Sequence, residues 1–258
     1  MRTVGRLLLR RRLFGALTLP LFLPDRHAAR ADDRCLQEVA VTGAYESPCM
    51  RDRTREFDFG YAVGRVQIQQ GDVGPGTTGA AVWIAGTALA SYLAANPGRT
   101  VSDQTVVELG CGTGLVGIVA ARCGAREVIL TDGNPDLLER ASGNAAVNLP
   151  SAGSRVRVRP LKWGEQIESD MRGTVDVILA SDVLYQSSAW RPLASCVAEL
   201  LRPKIGRLLL AEAGHENTPA QSSLAGFRAV AEGCGLIIGE PEALAYGNTL
   251  LIEANTIS

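Results

Sequence analysis

From residue 104 onward, short apolar runs alternate with longer stretches whose apolar residues recur every three or four positions. The first pattern is typical of buried strands and the second of helices that pack on a sheet. The first predicted strand begins at residue 104, and the later strands are predicted at 127–131, 155–159, 174–180, 206–212, 236–239 and 249–254. The predicted helices are 80–96, 115–121, 135–148, 192–201 and 220–233. Strands that alternate with helices run parallel, whereas the last two strands form a hairpin. The pattern therefore predicts an α/β fold with a seven-stranded sheet, mostly parallel with a C-terminal antiparallel hairpin, and helices on both faces.

Residues 106–117, VVELGCGTGLVG, carry the clearest chemistry in this pattern. An apolar strand runs into Gly110, Gly112 and Gly114 and continues directly into an apolar helical run. Glycine lets the backbone turn sharply and approach a ligand that a Cβ would block. The first N–H groups of the helix point at whatever lies above the turn, which suits a polar or anionic group. The motif therefore predicts a site for a nucleotide-like cofactor.

Two cofactors fit this turn. Gly112, Gly114 and Gly117 match the GxGxxG dinucleotide fingerprint, and Asp132 lies at the expected acidic distance downstream. Glu108 favours S-adenosylmethionine instead, because an acid inside the end of a buried strand is costly unless it meets a cation or hydrogen-bond donors. S-adenosylmethionine carries an ammonium and a sulfonium, whereas NAD would offer this carboxylate only phosphates. The acid makes S-adenosylmethionine the favoured cofactor and leaves NAD as the alternative.

Further polar and aromatic residues are predicted at the same carboxyl edge of the sheet. Asp132 ends the second strand and can accept both hydroxyls of a ribose. Trp163 follows the third strand, which alternates Arg and Val and is predicted at an edge of the sheet. The ring can stack on an adenine or simply pack. Asp182 and Tyr185 follow the fourth strand and are therefore predicted at this edge. Trp83 lies in the first turn of helix 80–96, where a tryptophan is more typical of the core than of a ligand site.

Composition narrows the function classes. A chain of 258 residues and 27.3 kDa with 46% hydrophobic residues supports one catalytic α/β domain with a short appendage. A net charge of -1 and a pI near 6.2 give no strong nucleic-acid signal. The six cysteines form no CxxC pair, which favours reduced thiols over disulfides or zinc, and two histidines argue against a His-based metal centre.

The first 31 residues differ from the rest. Residues 1–24 contain five arginines and no acid, with an apolar run at 13–23 that is too short and too interrupted by proline to span a membrane. A transit peptide, a secretory signal and an unstructured start all fit. We therefore expect a targeting or disordered segment at 1–31, an N-terminal extension at 32–79 with a β-hairpin of strands 57–63 and 65–70, and the catalytic domain at 80–258. The expected location is cytoplasmic, or mitochondrial if the arginine-rich segment is a transit peptide.

Taken together, these motifs resemble one family. The sequence ELGCGTG at 108–114, Thr131-Asp132, Trp163-Gly164 and ASDVLY at 180–185, preceded by the helix of Trp83, is similar to the class I, Rossmann-like seven-strand S-adenosylmethionine-dependent methyltransferases. Within that class, the DVLY tetrapeptide and the two tryptophans are similar to the protein-lysine methyltransferases that modify calmodulin, chaperones and elongation factors. The motifs that carry the resemblance lie within residues 82–197, and the final hairpin resembles the family only in its predicted fold.

The resemblance implies a role for each residue of the site. Its cofactor-binding positions are Trp83, Glu108, Gly110, Cys111, Gly112, Gly114, Asp132, Trp163 and Ala180, and its catalytic positions are Asp182 and Tyr185. Glu108 and the glycine turn would hold the methionine part, Asp132 the ribose, Trp163 and Ala180 the adenine, and Trp83 the methyl side. Asp182 and Tyr185 match an Asp-x-x-Tyr motif near the target lysine. The implied activity is metal-free transfer of a methyl group to a lysine ε-amine of a protein partner.

Three other functions remain open. One is a small-molecule or nucleic-acid methyltransferase with the same cofactor site, although adenine methyltransferases carry an Asn/Asp-Pro-Pro-Tyr sequence where this chain has Asp-Val-Leu-Tyr. Another is an NAD-binding oxidoreductase. The last is a non-catalytic partner protein that has kept the fold.

Overall fold

The computed structural model describes residues 30–31, 48–150, 155–214, 219–244 and 249–257. The targeting or disordered segment predicted at 1–31 lies outside the described residues, except for the two residues of the strand β1 (Arg30–Ala31). Both histidines, at positions 27 and 215, also lie outside them. Within the described ranges, no helix is long and apolar enough to cross a membrane.

The N-terminal part contains a small antiparallel sheet of three strands in the order β1, β2 (Thr54–Asp58) and β3 (Arg65–Gln69). Two short helices, α1 (Pro48–Arg51) and α2 (Gly60–Val63), lie before β2 and between β2 and β3. The prediction of one strand over 57–63 was therefore wrong, since β2 ends at Asp58. The reason is local, because Asp58 Oδ1 accepts a hydrogen bond from the N–H of Gly60 at 2.9 Å, and Gly60 has a φ of 76°. This aspartate-led turn ends the strand and starts a helical turn.

The remaining helices are α3 (Ile84–Ala95), α4 (Pro97–Thr100), α5 (Leu115–Arg122), α6 (Pro135–Asn148), α7 (Trp190–Leu200) and α8 (Ala220–Glu232), and the remaining strands are β4 (Thr105–Leu109), β5 (Glu127–Asp132), β6 (Val156–Pro160), β7 (Val177–Ser181), β8 (Arg207–Glu212), β9 (Leu236–Ile238), β10 (Glu242–Ala243) and β11 (Leu250–Thr256). Their sheet has the order β10-β11-β8-β7-β4-β5-β6, and β9 also pairs with β11. Strands β4 to β8 are parallel, and β11 is antiparallel to β8 and β9. The α/β fold class is confirmed, with β6 at an edge as predicted and the two-residue strand β10 as an addition.

Helices cover both faces of this sheet. Successive side chains of a strand point to opposite faces, so Val106 packs with α3, α5 and α6, and Val107 packs with α7 and α8. Because β4, β7 and β8 are buried on both sides, their sequences are nearly continuous apolar runs. The acids Glu108 and Glu212 interrupt these runs and are buried with them.

In the sheet, β5 and β6 follow β4 on one side, and β7 and β8 lie on its other side. The chain therefore changes direction between β4 and β7, and the carboxyl ends of these strands open a crevice at that point. The loops that follow β4, β5 and β7 carry the glycine turn, Asp132 and the segment 182–185. The fold thus brings the predicted site residues to one edge.

Helix α3 begins four residues later than predicted. Residues 78–80 form a separate 3-10 turn, and Trp83 has extended backbone angles as the residue that precedes the helix. The sequence pattern did not reveal this break, because residues 80–85 are apolar throughout and contain no glycine or proline that would mark it. The break matters for the site, since it turns residues 71–80 back across the glycine turn.

Candidate active site

The glycine turn has a backbone that only glycine adopts without strain at three positions. Gly110, Gly112 and Gly114 have φ values of 67°, 51° and 82°. Gly112 also lies under the backbone of Gly79, where an added Cβ would stand 2.5 Å from the carbonyl oxygen of Gly79. The turn is closed by a hydrogen bond of 2.7 Å from the N–H of Gly114 to the carbonyl of Cys111. A Cβ at position 112 would therefore meet both strain and a backbone clash.

Glu108 lies beneath the first turn of α5. Its Oε2 accepts a hydrogen bond of 2.8 Å from the N–H of Gly117, and burial raises the pKa of this carboxyl to about 8. An added Cβ at Gly117 would stand 2.7 Å from the same oxygen, so the glycine makes room for the acid. The donor that the buried acid requires is thus supplied by the helix itself. Glu108 therefore does not by itself discriminate between the two candidate cofactors.

Asp132 connects the end of β5 to the glycine turn. Its two oxygens accept hydrogen bonds from the N–H of Gly112 at 3.1 Å and of Asn134 at 2.9 Å. Burial raises the pKa of this half-buried carboxyl, and the backbone donors oppose that rise. Capping of α6 falls to Asn134, whose side chain accepts from the N–H of Asp136. Asp132 is consequently free of the capping role and faces the crevice.

The two predicted aromatic residues take different positions. The ring of Trp163 lies over the glycine turn, 3.3 Å from where a Cβ of Gly110 would be, and packs on the core that contains Ala180. Trp83 donates its indole N–H to the carbonyl of Thr78 at 2.8 Å, which ties the 3-10 turn to the start of α3. Ala180 is fully buried in β7. Both tryptophans therefore border the crevice, and Ala180 forms part of the packed layer behind it.

The cysteines divide into two groups. Cys111, within the glycine turn, is a buried free thiol whose pKa is raised well above its usual value by burial. Cys123, Cys196 and Cys234 are also free. The prediction of reduced thiols was wrong for Cys49, which is disulfide-bonded. Among the described residues, no cluster of His, Cys, Asp and Glu side chains is placed to hold a metal ion.

Asp182 has the left-handed backbone conformation, with a φ of 50°. Its Oδ2 accepts from the N–H of Ala85 at 3.2 Å, and its Oδ1 accepts from the N–H of Ala213 at 3.0 Å. The carboxylate therefore caps α3 and reaches the end of β8. A carboxylate that accepts from the first turn of a helix stabilises that helix, and here the helix is α3.

Tyr185 is the exposed member of the segment, with 56% of its surface accessible. Its hydroxyl lies 3.4 Å from the Oγ1 of Thr78. On the other side of the crevice, the Nδ2 of Asn134 donates to the carbonyl of Gly76 at 2.7 Å. Residues 71–80 thus span the crevice from the end of β5 to Tyr185. They line a cavity of about 340 Å³ formed by Val73, Gly74, Pro75 and Thr78.

Sequence reasoning missed three residues of this site, of which two lie in one loop. Thr78 and Gly79 fall within the predicted N-terminal extension, and nothing in the local sequence indicates that Thr78 lies beside Tyr185 or that Gly79 packs on Gly112. Glu212 is different, because it is an acid inside a predicted buried strand, as Glu108 is. The argument applied to Glu108 would have selected Glu212 as well.

A family model described as lysine methyltransferase matches residues 64–219. Among curated proteins, the chain is 34% identical to the protein-lysine N-methyltransferase EFM3 of Chaetomium thermophilum over 55% of this chain and 45% of that protein. It is 37% identical to the protein N-lysine methyltransferase METTL21A of Mus musculus over 55% of this chain and 64% of that protein. The chain thus spans less than two thirds of the length of these relatives.

Solved structures show the same fold at low identity. A methyltransferase in complex with the Trm112 activator of Haloferax volcanii is 16% identical, with a TM-score of 0.51 over 67% of this chain and 90% of that one. The magnesium protoporphyrin IX methyltransferase of Synechocystis PCC 6803 is 20% identical, with a TM-score of 0.50 over 67% of this chain and 78% of that one.

Proposed function

The chain belongs to the lysine methyltransferase family, and on that premise we propose that it transfers a methyl group from S-adenosylmethionine to a lysine ε-amine of a protein substrate. The observation that carries the proposal is the meeting of three features at one sheet edge. The glycine turn lies between Asp132 on one side and the segment 182–185 on the other. Curated relatives named as protein-lysine methyltransferases support the choice of acceptor.

The crevice fits the cofactor in shape and in polarity. Gly110 and Gly112 present backbone where any Cβ would meet neighbouring atoms, and Asp132 has a half-buried carboxylate beside them. We assign the methionine part to the glycine turn, the ribose to Asp132 and the adenine to the layer that contains Trp163. When bound, S-adenosylmethionine supplies a methyl group on a sulfonium. The residues of the chain orient the two reactants and exclude water.

The acceptor side is formed by Tyr185, Trp83 and the 3-10 turn that contains Thr78. A lysine must lose its proton before it can accept a methyl group, and its usual pKa is about 10.4. Aromatic walls lower that pKa because they disfavour the charged ammonium. We assign the channel wall to the exposed ring of Tyr185 and the guidance of the arriving ammonium to Asp182.

The acceptor class is tested with tritiated S-adenosylmethionine and an extract of the source cells. We expect a discrete labelled band that protease removes and nuclease leaves, which mass spectrometry then identifies. Label in nuclease-sensitive or small-molecule material would instead support a different acceptor. No label together with no binding of S-adenosylmethionine would contradict the proposed activity.

The role of Tyr185 is tested by Tyr185→Ala. We expect methyl transfer to fall at least about tenfold, which corresponds to about 1.4 kcal/mol of transition-state stabilisation, with little change in cofactor affinity. Tyr61→Ala is the matched control, because Tyr61 is also exposed but lies on α2, in the N-terminal part. Equal rates for the Tyr185 variant, the Tyr61 variant and the unmodified protein would remove Tyr185 from the acceptor site.

A further inference from the structure

The backbone of Leu184 is bound on both sides, directly before the exposed ring of Tyr185. Its N–H donates to Oε2 of Glu212 at 3.3 Å, and its carbonyl accepts from the indole N–H of Trp190 at 3.0 Å. Its side chain is buried in the core that the sheet forms with α7 and α8. Residues 182–185, the acceptor segment, belong to no helix or strand. Leu184 therefore attaches the base of the Tyr185 side chain to the rest of the domain.

Trp190 is the first residue of α7, which begins two residues earlier than the sequence predicted. Side chains of a helix tilt back toward its N-terminus, so this indole ring is directed toward the segment that precedes the helix. Its N–H thereby reaches the carbonyl of Leu184, six residues earlier in the chain. Among the described residues, no other donor binds that carbonyl. The indole N–H is thus the contact that fixes the acceptor segment from the side of α7.

Gly226, within α8, provides the space for the ring of Trp190. An added Cβ at Gly226 would stand 2.5 Å from Cη2 of that ring, which is closer than non-bonded atoms approach. Gly226 needs no left-handed backbone angle, and alanine is the better helix former at such a position. The aromatic ring that packs on it, rather than the helix backbone, therefore explains the glycine. Helix α8 and Trp190 fit together at this point, and the position of the ring depends on both.

The outer end of the Tyr185 side chain has a contact of its own, because the hydroxyl lies 3.4 Å from Oγ1 of Thr78. The ring therefore spans from a base that Leu184 fixes to a tip that meets the loop 71–80. Methyl transfer requires the acceptor nitrogen and the methyl group to be closely aligned, and a displacement of about 1 Å can cost about 100-fold in rate. A residue that fixes the base of this ring is consequently able to control the transfer step from a distance.

We propose that Trp190 is a positioning residue of the acceptor site, because its hydrogen bond to the carbonyl of Leu184 fixes the direction of the Tyr185 ring. The inference rests on the proposed function for its effect on methyl transfer, and on the structure alone for its effect on the acceptor segment. The glycine turn and Asp132 follow β4 and β5, whereas Trp190 acts from α7. Loss of the indole N–H should therefore affect the acceptor step and leave cofactor binding as it is.

The first experiment measures the acceptor segment without reference to methyl transfer. Trp190→Phe keeps an aromatic ring on Gly226 and removes the indole N–H. We expect the amide of Leu184 to exchange its hydrogen at least about fivefold faster in this variant, because the segment opens more readily once its carbonyl has lost a donor. The amide of Leu209, between two neighbouring strands in β8, is the internal reference and should exchange as before. Unchanged exchange at Leu184 would overturn the proposal.

The second experiment measures incorporation of tritiated methyl groups from S-adenosylmethionine into an extract of the source cells, together with calorimetric titration of the cofactor. We expect Trp190→Phe and Gly226→Ala each to lower the rate of incorporation at least about fivefold, with cofactor affinity unchanged within about twofold. Gly143→Ala is the matched control for Gly226→Ala, because it also places alanine in a helix but meets nothing within 4 Å. Full incorporation by both the Trp190 and the Gly226 variant, or an equal loss of cofactor affinity, would overturn the proposal.

Combining Trp190→Phe with Tyr185→Ala distinguishes positioning from a general loss of structure. If Trp190 acts through Tyr185, its substitution should lower incorporation by less than about twofold once the tyrosine ring is absent. Independent effects would multiply, and a double variant that shows both losses in full would overturn the positioning role. If Trp190→Phe does not fold, Gly226→Ala displaces the same ring and is measured by exchange and by incorporation in its place. If the unmodified protein transfers no methyl group, exchange at Leu184 still decides whether the indole holds the segment, which separates the two proposals.

Discussion

Single glycines define the floor of the crevice. Gly112 combines a φ of 51° with a backbone neighbour that a Cβ would approach to 2.5 Å. Gly112→Ala should therefore weaken S-adenosylmethionine binding at least about tenfold, and the left-handed strain adds about 1 kcal/mol of destabilisation. Calorimetric titration with the cofactor and thermal unfolding measure the two effects.

Gly143 provides the control for this substitution, because it lies in α6 with nothing within 4 Å of an added Cβ. Gly143→Ala should raise stability by roughly 0.5–1 kcal/mol, since alanine favours the helix, and should leave the cofactor affinity as it is. Equal affinities of the unmodified protein and the Gly112 variant would mean that the cofactor does not use the glycine turn.

For individual residues, the sequence predicted which of them belong to the site better than it predicted their hydrogen-bond partners. Glu108 was correctly singled out as a buried acid that requires a donor, but the donor in the structure is the N–H of Gly117 rather than a ligand. Asp182 was predicted at the crevice, and its contact with Ala213 depends on the end of β8. Such partners are distant along the chain, and the local pattern contains no information about them.

Among the elements, α6 and β3 are joined by two asparagines. Asn144 and Asn148 each accept from the N–H and donate to the carbonyl of one residue of β3, namely Gln69 and Gln67. Residues four apart on a helix lie on the same face, and residues two apart on a strand point in the same direction, so the two asparagines can pair with the two glutamines. The asparagine side chains thereby bind the free edge of β3 as a neighbouring strand would. Asn144 also donates to the carbonyl of Thr113, next to the glycine turn, at 2.9 Å.

Asn144→Asp tests this junction. Aspartate keeps the acceptor but loses the donor, and its oxygen would face two backbone carbonyls in a buried position. We expect a loss of roughly 1–3 kcal/mol in the free energy of unfolding and faster hydrogen exchange at the amide of Gln69. Asn255→Asp on β11 is the exposed control and should stay within about 0.5 kcal/mol. Unchanged exchange in the Asn144 variant would mean that the side-chain donor of Asn144 does not hold β3 in place.

The boundaries of elements were predictable only where the sequence marks them. α6 runs from Pro135 to Asn148 as predicted, because proline opens it and Asn134 caps it. α3 carries no such marker at its start, and the markers that end β2, Asp58 and Gly60, stand between aromatic residues that favour a continued strand. The turn led by Asp58 and the break before Ile84 lie inside sequences whose apolar pattern continues across them. β10, at two residues, is too short for any periodicity.

For the molecule as a whole, alternating strands and helices were enough to predict the parallel sheet and its two covered faces, because the crossover rule leaves few topologies. The path of residues 71–80 across the crevice was not predictable. It depends on contacts with Asn134, Gly112 and Tyr185, which come from three different loops. The crevice is therefore complete only when the whole sheet has formed.

The two buried acids should also determine how stability depends on pH. The pKa of Glu108 is raised to about 8 and that of Glu212 to about 9, both from a usual value of 4.5. The folded protein then binds more protons than the unfolded chain between these limits, so stability is greatest below the usual value and is lost as the pH rises through 8 and 9. Each carboxyl contributes a slope of at most about 1.4 kcal/mol per pH unit.

Urea unfolding between about pH 5 and about pH 9 measures this slope. We expect the midpoint to fall steadily as the pH rises, and Glu108→Gln or Glu212→Gln to make the fall shallower, because an amide stays neutral in both states. Glu232→Gln, at an exposed position, should leave the slope unchanged. A midpoint that rises across this range would contradict the raised pKa values of both acids.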